Sequence, residues 1–168
     1  LPAAEIARAM VAQFHAVWPE IAPGSEDLGL SMLETVTLAS IIEKETGAPE
    51  ERALIAAVFH NRLQRGMRLA SDPTVIYGIP QFDGNLRRAD LEDAANPYNT
   101  YQIPGLPPGP IANPGADALR AAVAPASSSY LFFVSRNDGT HEFSNNYAEH
   151  AAAVDRYQKT RRRRTSPP

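Results

Sequence analysis

The segment from Ser31 to Glu45 constrains the fold of this chain more than any other stretch. Ser31-Met-Leu-Glu34 has the Ser-x-x-Glu pattern of a capping box, which begins a helix by satisfying free backbone N–H groups. Residues 36–42 are apolar on almost every side of that helix, and Gly47 ends it. A helix that is apolar all round is buried. We therefore predict a central helix, surrounded by other elements, that ends in the charged triplet Glu43-Lys44-Glu45.

Further helices and one hairpin are predicted around this central helix. Apolar spacing, proline positions and caps predict helices over 1–18, 49–66, 72–78, 113–123 and 145–157. Tyr130–Val134 has the composition of a strand, and it pairs with His141–Phe143 across the turn at Asn137-Asp-Gly139. These elements predict a mainly helical α+β fold with a small antiparallel sheet.

Two stretches predict irregular structure. Pro23-Gly24 is a turn signal, so residues 19–29 are predicted to form a loop. Prolines gather between Pro73 and Pro125, and Asp83-Gly84 predicts a tight turn between short extended pieces.

Composition limits the classes of function. The chain has 168 residues, which suits one domain over 1–160, and Arg161–Arg164 predicts a basic disordered tail over 161–168. The net charge of −3 argues against a nucleic-acid partner, and the arginine run leaves that role a distant alternative. Because there are no cysteines, disulfides and thiolate nucleophiles are excluded. The first residue is Leu1, so we expect a piece of a longer or processed chain, with any anchor upstream.

Motifs for metals and phosphate-bearing cofactors are missing from the sequence. None of the four histidines has a metal-ligand spacing such as HExxH. There is also no P-loop, GxGxxG or GxSxG pattern. We therefore predict no cofactor and no metal site.

Two carboxyl groups at the end of the central helix are candidates for acid/base catalysis. Glu43 lies on the face of Ala39 and Ser40, and Glu45 lies on the face of Ile41. A carboxyl held against an apolar face is poorly solvated, which favours the protonated form that a general acid needs. The two side chains point about 200° apart, so one site cannot use both. For each, an exposed and ion-paired helix end remains the alternative, and spacing does not choose between them.

Two clusters are suited to binding sugars. Asp72–Tyr77 and Asn96–Tyr101 combine tyrosines, which offer flat apolar faces, with side chains that hydrogen-bond to sugar hydroxyls. Ordinary turn chemistry explains the same residues equally well. His141, beside the hairpin turn, is a further candidate for lining a site.

Many blocks, in order, resemble the MltG/YceG-like family of endolytic murein transglycosylases, over about residues 30–158. The blocks are Leu38-Ala-Ser-Ile-Ile-Glu-Lys-Glu-Thr46, Val58-Phe-His-Asn-Arg-Leu63, Gly66-Met-Arg-Leu69, Ser71-Asp-Pro-Thr-Val-Ile-Tyr-Gly78, Tyr98-Asn-Thr-Tyr101, Gly105-Leu-Pro-Pro-Gly-Pro-Ile111, Pro114-Gly-Ala-Asp-Ala-Leu119, Tyr130-Leu-Phe-Phe-Val134 and His141-Glu-Phe143.

The resemblance implies a lysozyme-like catalytic domain that lies outside the cytoplasmic membrane, held by a single-pass anchor upstream. It implies that Glu43, the first glutamate of the triplet, acts as acid and then base on the MurNAc–GlcNAc bond and leaves a 1,6-anhydro end. The implied partners are peptidoglycan glycan strands and wall synthases. Together with the residue types, it predicts substrate contacts at Ser40, Asn61, Asp72, Thr74, Tyr77, Tyr98, Asn99, Tyr101 and His141.

Two other functions stay open at this point. A muramidase would hydrolyse the same bond with water and would use a second carboxyl. A glycan-binding or scaffold module of the wall-synthesis machinery would bind the strand without cutting it.

Overall fold

The computed structural model describes residues 2–159, so the predicted tail at 161–168 lies outside the described residues. Seven α-helices and two strands are present in this part of the chain. The helices are α1 Ala3–Asp27, α2 Met32–Glu45, α3 Arg52–Gln64, α4 Asp72–Tyr77, α5 Arg88–Glu92, α6 Ala116–Val123 and α7 Tyr147–Val154. Strand β1, Phe132–Ser135, pairs antiparallel with β2, His141–Ser144, and Phe133 lies opposite Phe143. The predicted mainly helical α+β fold is confirmed.

Helix α2 is the buried centre of the fold, as predicted. The Ser31 hydroxyl accepts a hydrogen bond from the backbone N–H of Glu34, and the Glu34 carboxylate accepts one from the backbone N–H of Ser31. The core around α2 draws residues from α1, α3 and α6, among them Ile21, Ile55, Phe59, Ala118 and Leu119. Each large apolar side chain buried there contributes about 1.5–3 kcal/mol.

The predicted loop over 19–29 is wrong, because α1 continues through Pro19 and Pro23 to Asp27. A proline inside a helix removes a backbone hydrogen bond and costs about 3 kcal/mol. Tertiary packing offsets this cost, since Ile21 is only 1% exposed and belongs to the core.

Contacts with α6 hold the same half of α1. Arg120 donates two hydrogen bonds to the carboxylate of Glu20, at 2.7 and 3.0 Å. A Cβ atom at Gly24 would lie 3.0 Å from Cβ of Val123, so glycine permits the close approach of the two helices. The turn signal at Pro23-Gly24 therefore marks a helix contact.

Two short helical segments continue other elements. A 3₁₀ turn, Pro49–Glu51, leads into α3, and a π-helical turn, Asp155–Lys159, continues α7. Within residues 2–159, no helix combines the length and the apolar character needed to cross a bilayer.

The fully buried Asn99 organises the irregular middle of the chain, where the structure has α5 in place of the predicted extended pieces. Its amide nitrogen donates to the backbone carbonyls of Asp90, Leu91 and Asp93, at 3.1, 3.2 and 2.8 Å. Its side-chain oxygen accepts from the backbone N–H of Tyr101 at 3.0 Å.

Asn99→Ala is expected to lower the free energy of unfolding by about 3 kcal/mol, because several buried backbone groups lose their partner. Denaturant unfolding measures the change. The control is Asn85→Ala, which alters an exposed side chain and should change stability by less than about 0.5 kcal/mol. Equal stabilities of the two variants would contradict this role for Asn99.

Candidate active site

A cleft of about 540 Å³ lies where the C-terminal turn of α2 meets α3, α4, β1 and α7. Glu45 lines it from α2, Asp72 from α4 and Tyr101 from the irregular middle. Phe132 and Tyr147 line it from β1 and α7. The cleft therefore brings together carboxyl and aromatic side chains from distant parts of the sequence.

Glu45 is a titratable group that lines this cleft. Burial, together with the smaller effect of the charge of Asp72, raises the pKa of its carboxyl to about 7. A hydrogen bond from the Ser71 hydroxyl to Oε1 and the charge of Arg62 oppose that rise. A carboxyl with a pKa near neutrality both donates and accepts a proton readily at neutral pH.

Glu43 lies on another side of α2. Its Oε2 accepts a hydrogen bond from the backbone N–H of Gly115 at 3.1 Å, and Gly115 is the N-cap of α6. A carboxylate at a helix N-terminus is favoured by the helix dipole. The predicted divergence of the two side chains is thus confirmed, and Glu45 is the member of the triplet that lines the cleft. The catalytic role of Glu43 stays a prediction. Its hydrogen bond with Gly115 shows that this side chain also connects α2 to the start of α6.

Asp72 and Tyr101 form a hydrogen-bonded pair in the cleft. The Tyr101 hydroxyl donates to Oδ1 of Asp72 at 2.6 Å. Burial and this contact raise the pKa of Tyr101 well above its usual range, so its hydroxyl stays protonated. Of the residues predicted to contact sugar, these two line the cleft.

Arg62 braces the walls of the cleft from α3. Its Nε donates to the carbonyl of Leu131 at 2.7 Å, and its Nη1 donates to those of Leu69 and Arg68 at 2.7 and 3.3 Å. Its guanidinium also lies over the ring of Phe132, at 5.1 Å from the centroid. Arg62 was not among the predicted site residues, although it lies inside the block Val58–Leu63.

His150 completes the wall on the side of α7. Its ring stacks on Phe132 with centroids 5.0 Å apart. Burial lowers the pKa of His150, and the positive charge of Arg62 lowers it further. Both effects favour the neutral form of its imidazole.

Three of the residues predicted to contact substrate are fully buried, which corrects that prediction. Ser40 accepts from the backbone N–H of Ile111 at 2.9 Å, and Asn99 holds the α5 region, as described above. Thr74 donates to the carbonyl of Ser71 at 2.7 Å. Their side chains stabilise loops, which is the turn chemistry that polar residues commonly provide.

The remaining predicted contacts lie outside the cleft lining. Asn61 donates to two backbone carbonyls ahead of β1, both at 2.9 Å. Tyr77 packs against Tyr98, with ring centroids 4.7 Å apart. His141 pairs with Glu51, with Nδ1 and Oε2 2.6 Å apart. The contacts of these residues connect different segments of the fold.

Comparisons with known proteins identify the family of this chain. The YceG-like family matches residues 2–156. An endolytic murein transglycosylase of Bacillus subtilis is 36% identical over 153 residues, covering 91% of this chain and 42% of the relative. One from Streptococcus pneumoniae D39 is 38% identical over 128 residues, covering 72% of this chain and 23% of the relative.

A solved structure shares the fold as well. The crystal structure of a YceG-like protein from Listeria monocytogenes aligns with a TM-score of 0.80 at 37% identity, over 90% of this chain and 49% of that one. The chain therefore spans less than half the length of the relatives that it matches. It belongs to the YceG-like family.

Proposed function

We propose that this chain is the catalytic domain of a peptidoglycan lytic transglycosylase that cuts glycan strands internally. The observation that carries the proposal is the Glu45 carboxyl, which lines an open cleft and has a pKa of about 7. The names of the related proteins support the same reaction and substrate class. The bond to be cut is the β-1,4 bond between N-acetylmuramic acid and N-acetylglucosamine.

Glu45, in place of Glu43, is the proposed acid. Ser71 occupies Oε1 of Glu45, and Oε2 has no hydrogen-bond partner among the described residues. In the first step, protonated Glu45 gives its proton to the glycosidic oxygen as the bond from C1 to that oxygen breaks. The N-acetylglucosamine side leaves as an alcohol, and positive charge develops at C1. The carboxylate of Asp72 in the same cleft stabilises that charge.

The second step restores the enzyme. Glu45, now a carboxylate, accepts the proton of the C6 hydroxyl of the same muramic ring, and the C6 oxygen bonds to C1. The products are a 1,6-anhydro end and a protonated Glu45, and no water is consumed. One carboxyl with a pKa near the working pH is sufficient for both proton transfers.

A hydrolytic muramidase is the second candidate function. The position of Asp72 in the same cleft as Glu45 favours it. Ordinary glycosidases use two carboxyls, and Asp72 supplies a second one in the cleft. The products distinguish the two reactions, because a lyase leaves anhydro ends and a hydrolase leaves reducing ends. Mass spectrometry of digested strands therefore tests the reaction, and uncut strands would indicate a glycan-binding or scaffold module.

The proposed substrate also implies a location. Peptidoglycan lies outside the cytoplasmic membrane, so we place this domain on the outer face, in a protein anchored by a single upstream helix and acting beside wall synthases. Protease treatment of intact spheroplasts tests the placement. Digestion of the domain supports it, and protection of the domain contradicts it.

Glu45→Gln should lower kcat by about 10³-fold, because an amide cannot donate and then accept the proton. The matched control is Glu43→Gln, which changes the other carboxyl of the triplet and keeps an oxygen that accepts from Gly115. Anhydro ends released from purified glycan strands are quantified for both. A folded Glu45→Gln protein with full activity beside an inactive Glu43→Gln protein would return the role to Glu43.

Ser71→Ala should raise the pKa of Glu45, because the Ser71 hydroxyl stabilises the charged carboxylate. The first step needs protonated Glu45, so activity falls as pH rises through about 7, and in the variant this fall should move to higher pH. Rates measured from pH 5 to 9 follow the shift. Ser71→Thr keeps a hydroxyl and should leave the profile near that of the wild type, and an unmoved profile in Ser71→Ala would contradict the role of the bond.

The raised pKa of Glu45 also predicts how stability depends on pH. Since the pKa is about 7 in the folded chain and 4.5 is its ordinary value, the stabilisation by this group is complete below about 4.5 and disappears as pH rises through 7. The loss amounts to up to about 3 kcal/mol. Glu45→Gln should remove that part of the pH dependence, which thermal unfolding from pH 4 to 8 measures. Parallel curves for wild type and variant would contradict the shift.

A further inference from the structure

One face of α7 and of its π-helical continuation borders the cleft along its length. Tyr147, His150, Val154 and Gln158 all line it. Their spacing of three and four residues places them on one side of the helix. At 1.5 Å per residue of α-helix, Tyr147 and Val154 alone lie roughly 10 Å apart along that side. The cleft thus has a side wall longer than the space needed for the bond that is cut.

Tyr147 stands at the first turn of this wall with its ring open to solvent. Its exposed fraction is 72%, the highest among the large apolar side chains that the structure describes. The ring is nevertheless anchored, because it meets Phe132 edge-on at 6.2 Å and lies 6.3 Å from His150. Asn146 caps the helix directly before it by accepting the backbone N–H of Glu149 at 3.0 Å.

The rings next to Tyr147, those of Phe132 and His150, are partly buried, whereas the ring of Tyr147 is exposed. Phe132 is contacted by the guanidinium of Arg62 at 5.1 Å and stacked by His150 at 5.0 Å. A ring that contacts neighbouring rings and stays 72% exposed is suited to an apolar sugar face, and its hydroxyl adds a hydrogen-bonding group. Leaving so much aromatic surface in water forgoes the gain from burial, which a bound sugar ring would recover.

Tyr77 provides an internal comparison. It is also an exposed tyrosine, at 53%, and it packs against the ring of Tyr98. It lies outside the cleft lining, whereas Tyr147 lies within it. The two residues thus separate the effect of an exposed tyrosine ring from the effect of its position in the cleft.

We propose that Tyr147, where α7 begins, is a stacking platform for a sugar ring of the glycan strand other than the two rings joined by the bond that is cut. The strand then binds along α7. This inference rests on the proposed function, since it assigns a sugar subsite to the same cleft. Because the platform holds a ring that does not react, it contributes to binding and leaves the chemical step unchanged.

The test compares wild type, Tyr147→Ala, Tyr147→Phe and Tyr77→Ala on soluble, uncross-linked glycan strands. Loss of the platform should raise KM about 3–10-fold with kcat within about twofold, from the usual worth of an aromatic contact. Tyr147→Phe keeps the ring and should keep most of the affinity. Tyr77→Ala should match the wild type, and thermal unfolding confirms that each variant is folded.

A second measurement separates this inference from the proposed reaction. Calorimetric binding of a soluble β-1,4-linked N-acetylglucosamine oligomer to the Glu45→Gln protein, with and without Tyr147→Ala, needs no cleavage. Weaker binding after Tyr147→Ala supports the platform even if the product assay contradicts the lyase reaction. Unchanged KM and unchanged oligomer affinity in Tyr147→Ala would overturn the platform, and a loss confined to Tyr77→Ala would place the subsite at Tyr77 instead.

Discussion

The burial of α2 is the constraint on which the rest of the structure depends. Its middle turns are enclosed by α1, α3 and α6, so the side chains that meet solvent lie in its first and last turns, and the last turn borders the cleft. Two glutamates leave that turn in different directions, toward the start of α6 and toward the cleft. One buried helix therefore supplies both a contact that holds α6 and a carboxyl with a pKa near neutrality.

The hydroxyl groups of Ser71, Thr74 and Thr100 belong to one hydrogen-bonded network that reaches Glu45. Thr100 accepts from the backbone N–H of Ser71 at 3.0 Å and shares a 2.8 Å hydrogen bond with Thr74. Thr74 in turn donates to the Ser71 carbonyl. Ser71 is thus held on both of its backbone groups while its hydroxyl holds Glu45. Buried polar networks of this kind specify one arrangement, because each member loses a partner if another moves.

Sequence patterns predicted what depends on neighbouring residues. The capping box at Ser31, the extent of α2 and the hairpin follow from local signals and are confirmed. The course of α1 through Pro19 depends on packing against the core, which a turn signal does not include. Local sequence patterns were also insufficient at the site, since helix spacing left Glu43 and Glu45 as equal candidates for the acid. Contacts with distant parts of the chain distinguish them: Ser71, 26 residues away, donates to Glu45, and the backbone N–H of Gly115 donates to Glu43.

The contacts of Arg62 tie the cleft to the stability of the hairpin region. This guanidinium joins the carbonyl directly ahead of β1 to those of Arg68 and Leu69, and it also covers Phe132. A planar fork with five donors can hold several carbonyls at once, whereas a lysine ammonium is a compact point charge. We therefore expect local fluctuations that release β1 to release the wall of the cleft as well, so that the amide protons of the two regions exchange together. The wall of the cleft is then complete only when the hairpin is folded.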